Sequence, residues 1–80
     1  MRVFLLILFA TFAFARVDIN NASVKELSTL KGIGKTKAKA IVEYRKEHCF
    51  KNRAELSHVK GIGKKTVEKN KNEITIGECK

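Results

Sequence analysis

Apolar residues along this chain fall into short stretches with helical spacing, separated by polar and glycine-containing segments. In the longest stretch Ala38, Ile41 and Val42 recur at intervals of three or four residues, which places them on one face of a helix. The same spacing predicts helices through 24–30, from 36 to about 47, through 54–59 and from about 65 to 73. The pattern as a whole predicts an all-α fold.

Polar residues that favour helix N-termini stand where these stretches begin. Ser23 precedes the first stretch and Glu26 follows three residues later, which is the spacing of a capping box. Asn20 and Asn21 are further N-cap formers at this end, and Asn52 or a neighbour can cap the third helix. These residues support the helix starts predicted from the apolar spacing.

One five-residue block, KGIGK, occurs at 31–35 and again at 60–64, with 29 residues between equivalent positions. The duplication extends upstream, because ELS occurs at 26–28 and at 55–57. Each repeating unit is therefore a short helix, a glycine hairpin and a second helix. The predicted units are about 20–47 and about 52–76, within one domain over 16–80.

The glycine hairpins have the composition of an anion-binding loop. Glycine can take positive φ and has no side chain to block an anion, while the helix start that follows offers unpaired N–H groups and a positive dipole end. Gly34 and Gly63 stand at those helix starts, and Ile33 and Ile62 are expected to point into the core. Two copies predict a site in which each of two loops contacts a phosphate. The alternative is an ordinary helix–helix turn, since glycine at a helix C-cap needs no ligand.

The hairpins resemble those of the helix-hairpin-helix family, whose core is apolar-x-Gly-apolar-Gly, here LKGIG at 30–34 and VKGIG at 59–63. The opening segment VDINNAS at 17–23 makes the chain similar to ComEA-type competence proteins. This resemblance, which extends to about residue 74, implies a tandem helix-hairpin-helix (HhH)2 domain, a SAM-like small helical fold. It also implies that two hairpins, related by a pseudo-twofold, meet both strands across the minor groove of duplex DNA. Relatives commonly have proline where this chain has Lys31 and Lys60. Lysine in place of proline makes each hairpin less rigid and adds a positive charge to it.

A strongly basic composition supports a polyanionic partner. The chain has 17 Lys and Arg against 8 Asp and Glu, a net charge of +9 that becomes +8 without Arg2. The lysines cluster at the hairpins, whereas most glutamates lie elsewhere. Lysines and amides at these positions contact phosphates and not base edges, so binding should be largely independent of sequence. The predicted DNA-binding residues are Lys31, Gly32, Gly34, Lys35 and Lys37 in the first unit and Lys60, Gly61, Gly63, Lys64 and Lys65 in the second.

Residues 1–15 have the pattern of an export signal. Arg2 gives a minimal positive region, 3–12 form an apolar region, and AFA at 13–15 is a signal-peptidase site. The apolar region is shorter than the roughly 17–25 residues that a transmembrane helix needs. We expect cleavage before Arg16 and a periplasmic protein. An uncleaved inner-membrane anchor, with the domain facing the periplasm, is the alternative.

An exported domain of this size is a candidate for a disulfide, because its core is small. Cys49 and Cys79 are the chain's cysteines, and a bridge between them would pin the tail to the segment that links the units. Two free thiols are the alternative. No ligand pair has zinc-finger spacing, so no metal or other cofactor is expected. A disulfide would also reinforce the last helix, where Asn70 stands at a position that is usually aliphatic in the relatives. If the Asn70 side-chain amide were buried without a hydrogen-bond partner, it would destabilise the fold by about 1–3 kcal/mol.

These features together predict sequence-independent binding of double-stranded DNA in the periplasm, as a receptor or retention protein during DNA uptake in natural transformation. The resemblance implies delivery to an inner-membrane DNA-uptake channel and allows self-association on DNA. An envelope adapter that binds protein partners through the same helical scaffold, without DNA, is the second hypothesis. An enzyme is not expected, because the only aspartate, Asp18, lies near the predicted mature terminus and no catalytic arrangement stands out.

Overall fold

Residues 16–79 are described by a computed structural model, and the predicted export signal at 1–15 lies outside the described residues. The elements are, in chain order, β1 (Val17–Asp18), α1 (Val24–Leu27), α2 (Lys35–Arg45), a 3-10 helix (Arg53–His58), α3 (Lys64–Asn70) and β2 (Ile74–Thr75). Over residues 16–79, none of the helices has the length and apolar character needed to cross a membrane.

The α-helices are shorter than the apolar spacing predicts, and capping side chains fix the starts of the first and third predicted helices. α1 begins at a capping box: the Glu26 amide donates to the Ser23 hydroxyl at 3.1 Å, and the Ser23 amide donates to the Glu26 carboxylate at 2.9 Å. The third predicted helix forms as a 3-10 helix, and the Asn52 side chain accepts from the Glu55 amide at 3.1 Å. α3 ends at Asn70 instead of about 73, because the chain turns there to enter β2.

Two short strands, which the sequence pattern does not predict, join the ends of the domain. β1 and β2 are parallel, with Val17 opposite Ile74 and Asp18 opposite Thr75. The Ile19 amide extends the pairing by donating to the Thr75 carbonyl at 3.2 Å. Strands of two residues are too short to show alternation in the sequence, so only their long-range pairing reveals them.

The hydrophobic core draws on both units and on the linker (49–52) between them. Phe50 in the linker is fully buried, and Tyr44 stacks against it with ring centroids 5.3 Å apart. Ile33 and Ile62 from the two hairpins are 2% and 4% exposed, in agreement with their predicted inward orientation. Burial of each such side chain contributes about 1.5–3 kcal/mol, so each hairpin is anchored to the core by its central residue.

Asn20 connects the N-terminal segment to the linker and to the tail (76–79), and it does not cap a helix. Its side chain accepts from the Phe50 amide and donates to the Phe50 carbonyl, both at 2.9 Å. The same amide group donates to the Gly77 carbonyl at 2.9 Å. Arg45 on α2 adds a hydrogen bond to the Ile19 carbonyl at 3.0 Å. Three segments that are distant in sequence are thereby fixed at one point.

The tail is held by a covalent bond and by a carboxylate. Cys49 in the linker and Cys79 form a disulfide, with their Cα atoms 5.7 Å apart. The Asp18 carboxylate accepts from the Gly77 amide at 2.9 Å, and a Cβ placed on Gly77 would collide with that carboxylate. The sequence reasoning does not identify Gly77, because its role depends on a partner 59 residues away.

Asp18 is the acceptor at the centre of this contact. Burial raises the pKa of its carboxyl group, but the hydrogen bonds from the Asn21 side chain and from the amides of Asn20, Gly77 and Asn21 outweigh burial and lower the pKa below its usual 3.8. Since its oxygens are occupied by donors of its own chain, Asp18 has a structural role in this fold.

Candidate nucleic-acid interface

The two KGIGK hairpins have the same backbone conformation. The first glycine of each, Gly32 and Gly61, has a positive φ, of +75° and +92° respectively. The isoleucine amide that follows donates to the carbonyl three residues earlier, at 3.1 Å in the first hairpin and 3.0 Å in the second. The conformational freedom expected of the glycines is therefore used at the first glycine of each block, where an L-residue would be strained.

The second glycine of each hairpin, Gly34 and Gly63, is the N-cap of the helix that follows. Both are extended, with φ of −92° and −99°, and neither helix start has a side-chain cap. The Ala38 amide donates to the Gly34 carbonyl at 2.9 Å, and the Val67 amide donates to the Gly63 carbonyl at 3.3 Å. The amides that precede these in each helix have no intrahelical partner, so both helix starts offer donors to an anion.

The space in front of these second glycines is open. A Cβ added to Gly34 or to Gly63 would meet no protein atom within 4 Å. Neither the backbone conformation nor the packing of the domain therefore requires glycine there. The absent side chains leave the helix-start amides accessible from solvent.

The two units pack reciprocally at their hairpins. A Cβ on Gly32 would lie 3.6 Å from Thr66 Cγ2, and a Cβ on Gly61 would lie 3.5 Å from Lys37 Cε. Lys37 and Thr66 are equivalent positions of the 29-residue repeat, so each unit's second helix contacts the other unit's hairpin. This reciprocity is what a pseudo-twofold between the units requires, and it sets the hairpins side by side.

Lys37 differs from the other lysines of the predicted site. Its side chain is half-buried, its stem lies over Gly61, and its Nζ donates to the Gly32 carbonyl at 3.4 Å. Lys37 therefore connects the two hairpins at the protein surface, and its charge stays beside the first hairpin.

The remaining hairpin lysines are exposed and have few acidic neighbours in sequence. The exposed lysines of the predicted site are Lys31, Lys35, Lys60, Lys64 and Lys65. Neither 27–42 nor 56–67, the segments that contain the hairpins, includes an acidic residue. The ion pairs found within residues 16–79 lie at 43–46 and 68–71, outside both hairpins. The potential around the helix starts is therefore positive, which favours a polyanion.

Asn70 is buried, and its side-chain amide is hydrogen-bonded, so the cost of a buried unpaired amide does not arise. The residue is 1% exposed, and its side chain makes hydrogen bonds to the backbone of Lys31 and of Thr66. The repeat carries a signal that could have found this role, since the equivalent position in the first unit is Ile41. A polar residue in place of a buried isoleucine indicates a specific partner.

No group of three or more metal-ligating side chains is present in the part of the chain that the structure describes. The two units, each a helix, a glycine loop and a helix, are in reciprocal contact and define a small helical domain with two uncapped helix starts at its glycine loops. A model of the helix-hairpin-helix motif family matches residues 13–75. The chain belongs to this family, which confirms the predicted resemblance and the predicted helical fold class.

Curated relatives agree with this assignment. ComE operon protein 1 of Bacillus subtilis is 43% identical over 63 residues, which cover 78% of this chain and 31% of that protein. An uncharacterized protein of Haemophilus influenzae is 48% identical over 61 residues, which cover 74% of this chain and 54% of that protein. The human endonuclease/exonuclease/phosphatase family domain-containing protein 1 is 41% identical over 63 residues, only 11% of its length. The chain thus matches about a third to a half of the two bacterial relatives.

Proposed function

We propose that this chain binds double-stranded DNA without sequence preference and that it acts in DNA uptake during natural transformation. The observation that carries the proposal is the pair of uncapped helix starts, each behind an open glycine, which reciprocal packing sets side by side. Two adjacent anion sites on one rigid domain suit two phosphate backbones better than a single small anion.

The chemistry of the site supports contact with phosphates only. Helix-start amides and the positive end of the helix dipole favour phosphate oxygens, and the exposed hairpin lysines add attraction at short range. Ile33 and Ile62, the only side chains between the paired glycines, are buried and cannot read base edges. Binding energy should therefore come mainly from counterion release, which does not depend on base sequence.

The similarity to ComE operon protein 1 supports a role in competence. We place the protein in the periplasm, with residues 1–15 removed on export, where it retains incoming DNA and passes it to an inner-membrane uptake channel. Self-association on DNA and an uncleaved inner-membrane anchor are variants of the same proposal. Intact-mass measurement of periplasmic material should give a chain that begins at Arg16, and full-length chain in the membrane fraction would contradict cleavage.

A fluorescence-anisotropy titration with a pool of random duplexes tests DNA binding directly. With about four to six phosphates neutralised, log K against log salt should have a slope near −4 to −5. Glu47→Gln is the control, since it removes an exposed negative charge on α2's C-terminal side and should leave affinity unchanged or slightly higher. A flat salt response, or tight selection of one sequence from the pool, contradicts the proposal. No binding at low salt favours the protein-adapter hypothesis.

A further inference from the structure

Asn70, at the end of α3, reaches from the second unit to the first hairpin. We propose that Asn70 is a positioning residue that fixes the first hairpin for its ligand, and that the second hairpin has no such support. The inference rests on the proposed function, because it assigns the two hairpins unequal roles in binding DNA.

The contact joins one side chain to both backbone groups of one hairpin residue. The Lys31 amide donates to Asn70 Oδ1 at 2.8 Å, and Asn70 Nδ2 donates to the Lys31 carbonyl at 2.8 Å. Nδ2 also donates to the Thr66 carbonyl at 2.8 Å, which holds the amide group in this orientation. Lys31 directly precedes Gly32, the residue with φ of +75°, so the pairing fixes the peptide at which the hairpin reverses.

The second hairpin lacks this pairing. The 29-residue repeat aligns Asn70 with Ile41, which is fully buried and has no hydrogen-bonding side chain. Among the hydrogen bonds found over residues 16–79, none involves the backbone of Lys60, the counterpart of Lys31. The stem of Lys37 against Gly61 is an apolar contact made by a flexible side chain. The first hairpin is therefore the more rigid of the two.

Stability alone does not explain an asparagine at this position. The three hydrogen bonds of Asn70 offset the cost of burying its amide, whereas an isoleucine would bury more apolar surface at the same site and leave the backbone groups of the exposed Lys31 to water. Ile41 demonstrates that the equivalent core position accepts isoleucine. A hydrogen-bonded asparagine instead restricts one loop, and a loop that is already ordered loses less entropy when it binds.

Asn70→Ile separates positioning from stability. Asn72→Ile is the matched control, because Asn72 is exposed and lies in the turn two residues further on. In the full chain, Asn70→Ile should keep or raise the urea midpoint, while amide exchange at Lys31 becomes at least about tenfold faster. Its affinity for random duplex DNA should fall about three- to tenfold. Asn72→Ile should leave exchange at Lys31 and DNA affinity unchanged. A purely structural role would lower stability and affinity together.

The wild-type protein supplies an independent test. Its Lys31 amide should exchange at least about tenfold more slowly than its Lys60 amide, and equal rates overturn the inference even if Asn70→Ile fails to fold. Retained Lys31 protection in Asn70→Ile, or DNA affinity equal to wild type, also overturns it. If wild-type protein binds no DNA while the two amides differ as expected, the proposed function fails and the hairpin asymmetry stands.

Discussion

In each KGIGK block the two glycines meet different physical requirements. Gly32 and Gly61 have positive φ and contact the opposite unit, whereas Gly34 and Gly63 are extended and face open space. The sequence presents each pair as equivalent, because both members could take a left-handed conformation. Only the backbone angles show that the first glycine serves the fold, and that the second is free to serve a ligand.

Alanine substitutions should separate these two requirements. Gly32→Ala should lower the free energy of unfolding by about 1–2 kcal/mol, because an L-residue is strained at this φ. Gly34→Ala should stay within about 0.5 kcal/mol of wild type, because a slightly poorer N-cap is offset by lower entropy of the unfolded chain. Urea denaturation measures both. Equal losses at the two positions would contradict the division of roles.

Asp18 should make the domain sensitive to acid. Its pKa is lower in the folded state than the usual 3.8, so its hydrogen bonds contribute stability above that pH, and the contribution is lost as pH falls through the folded-state value. Stability measured by urea denaturation should fall between about pH 5 and pH 2, and Asp18→Asn should remove part of this fall. An unchanged pH profile in Asp18→Asn would show that the carboxylate does not hold the tail.

At the scale of elements, the tail depends on its covalent bond to the linker. The Cys49–Cys79 bridge spans 30 residues, and a loop of this size contributes about 3–4 kcal/mol by the chain-entropy model. Reduction, or the double change to serine, should lower the free energy of unfolding by about that amount while circular dichroism retains helix. Non-reducing mass analysis should show two hydrogens fewer than the reduced form. Rapid alkylation of both thiols without reductant would mean that the bridge is absent.

Local sequence signals predict the helical units well, and long-range contacts account for what they miss. The Ser23–Glu26 capping box, the two hairpins and the buried Phe50 follow from residues close in sequence or from apolar character alone. The strand pair and the Asn70 contact depend on partners far along the chain, in the latter case 39 residues away. Asparagine favours caps and turns locally, so its use as a core connector cannot be read from neighbouring residues.

The end of the last helix differs from the prediction for the same reason. Apolar spacing predicts a last helix to about 73, but the pairing of β1 with β2 requires the chain to extend at Ile74. The Val17 amide donates to the Glu73 carbonyl at 2.8 Å. This hydrogen bond could not form if the helix continued through Glu73. Tertiary pairing thus overrides local helical preference at the C-terminal end.

At the scale of the whole molecule, the proposed function depends on two hairpins that act together. Each hairpin alone offers a few phosphate contacts, and the shared domain makes the second contact intramolecular once the first has formed. Gly34→Val or Gly63→Val should place a side chain in the open space before one helix start and block the approach of a phosphate. Since no protein atom lies within 4 Å of the added Cβ, the fold should remain intact.

Either valine variant should therefore bind duplex DNA more than about tenfold more weakly, with a salt slope reduced by roughly half, because one set of phosphate contacts is lost. Anisotropy titrations at several salt concentrations measure both quantities, and circular dichroism checks that the helices persist. Glu47→Gln serves again as the control, with an unchanged slope. If Gly63→Val binds like wild type while Gly34→Val does not, the second hairpin is only structural. A rigid first hairpin would then be sufficient for binding, and the reciprocal packing of the units would serve the fold alone.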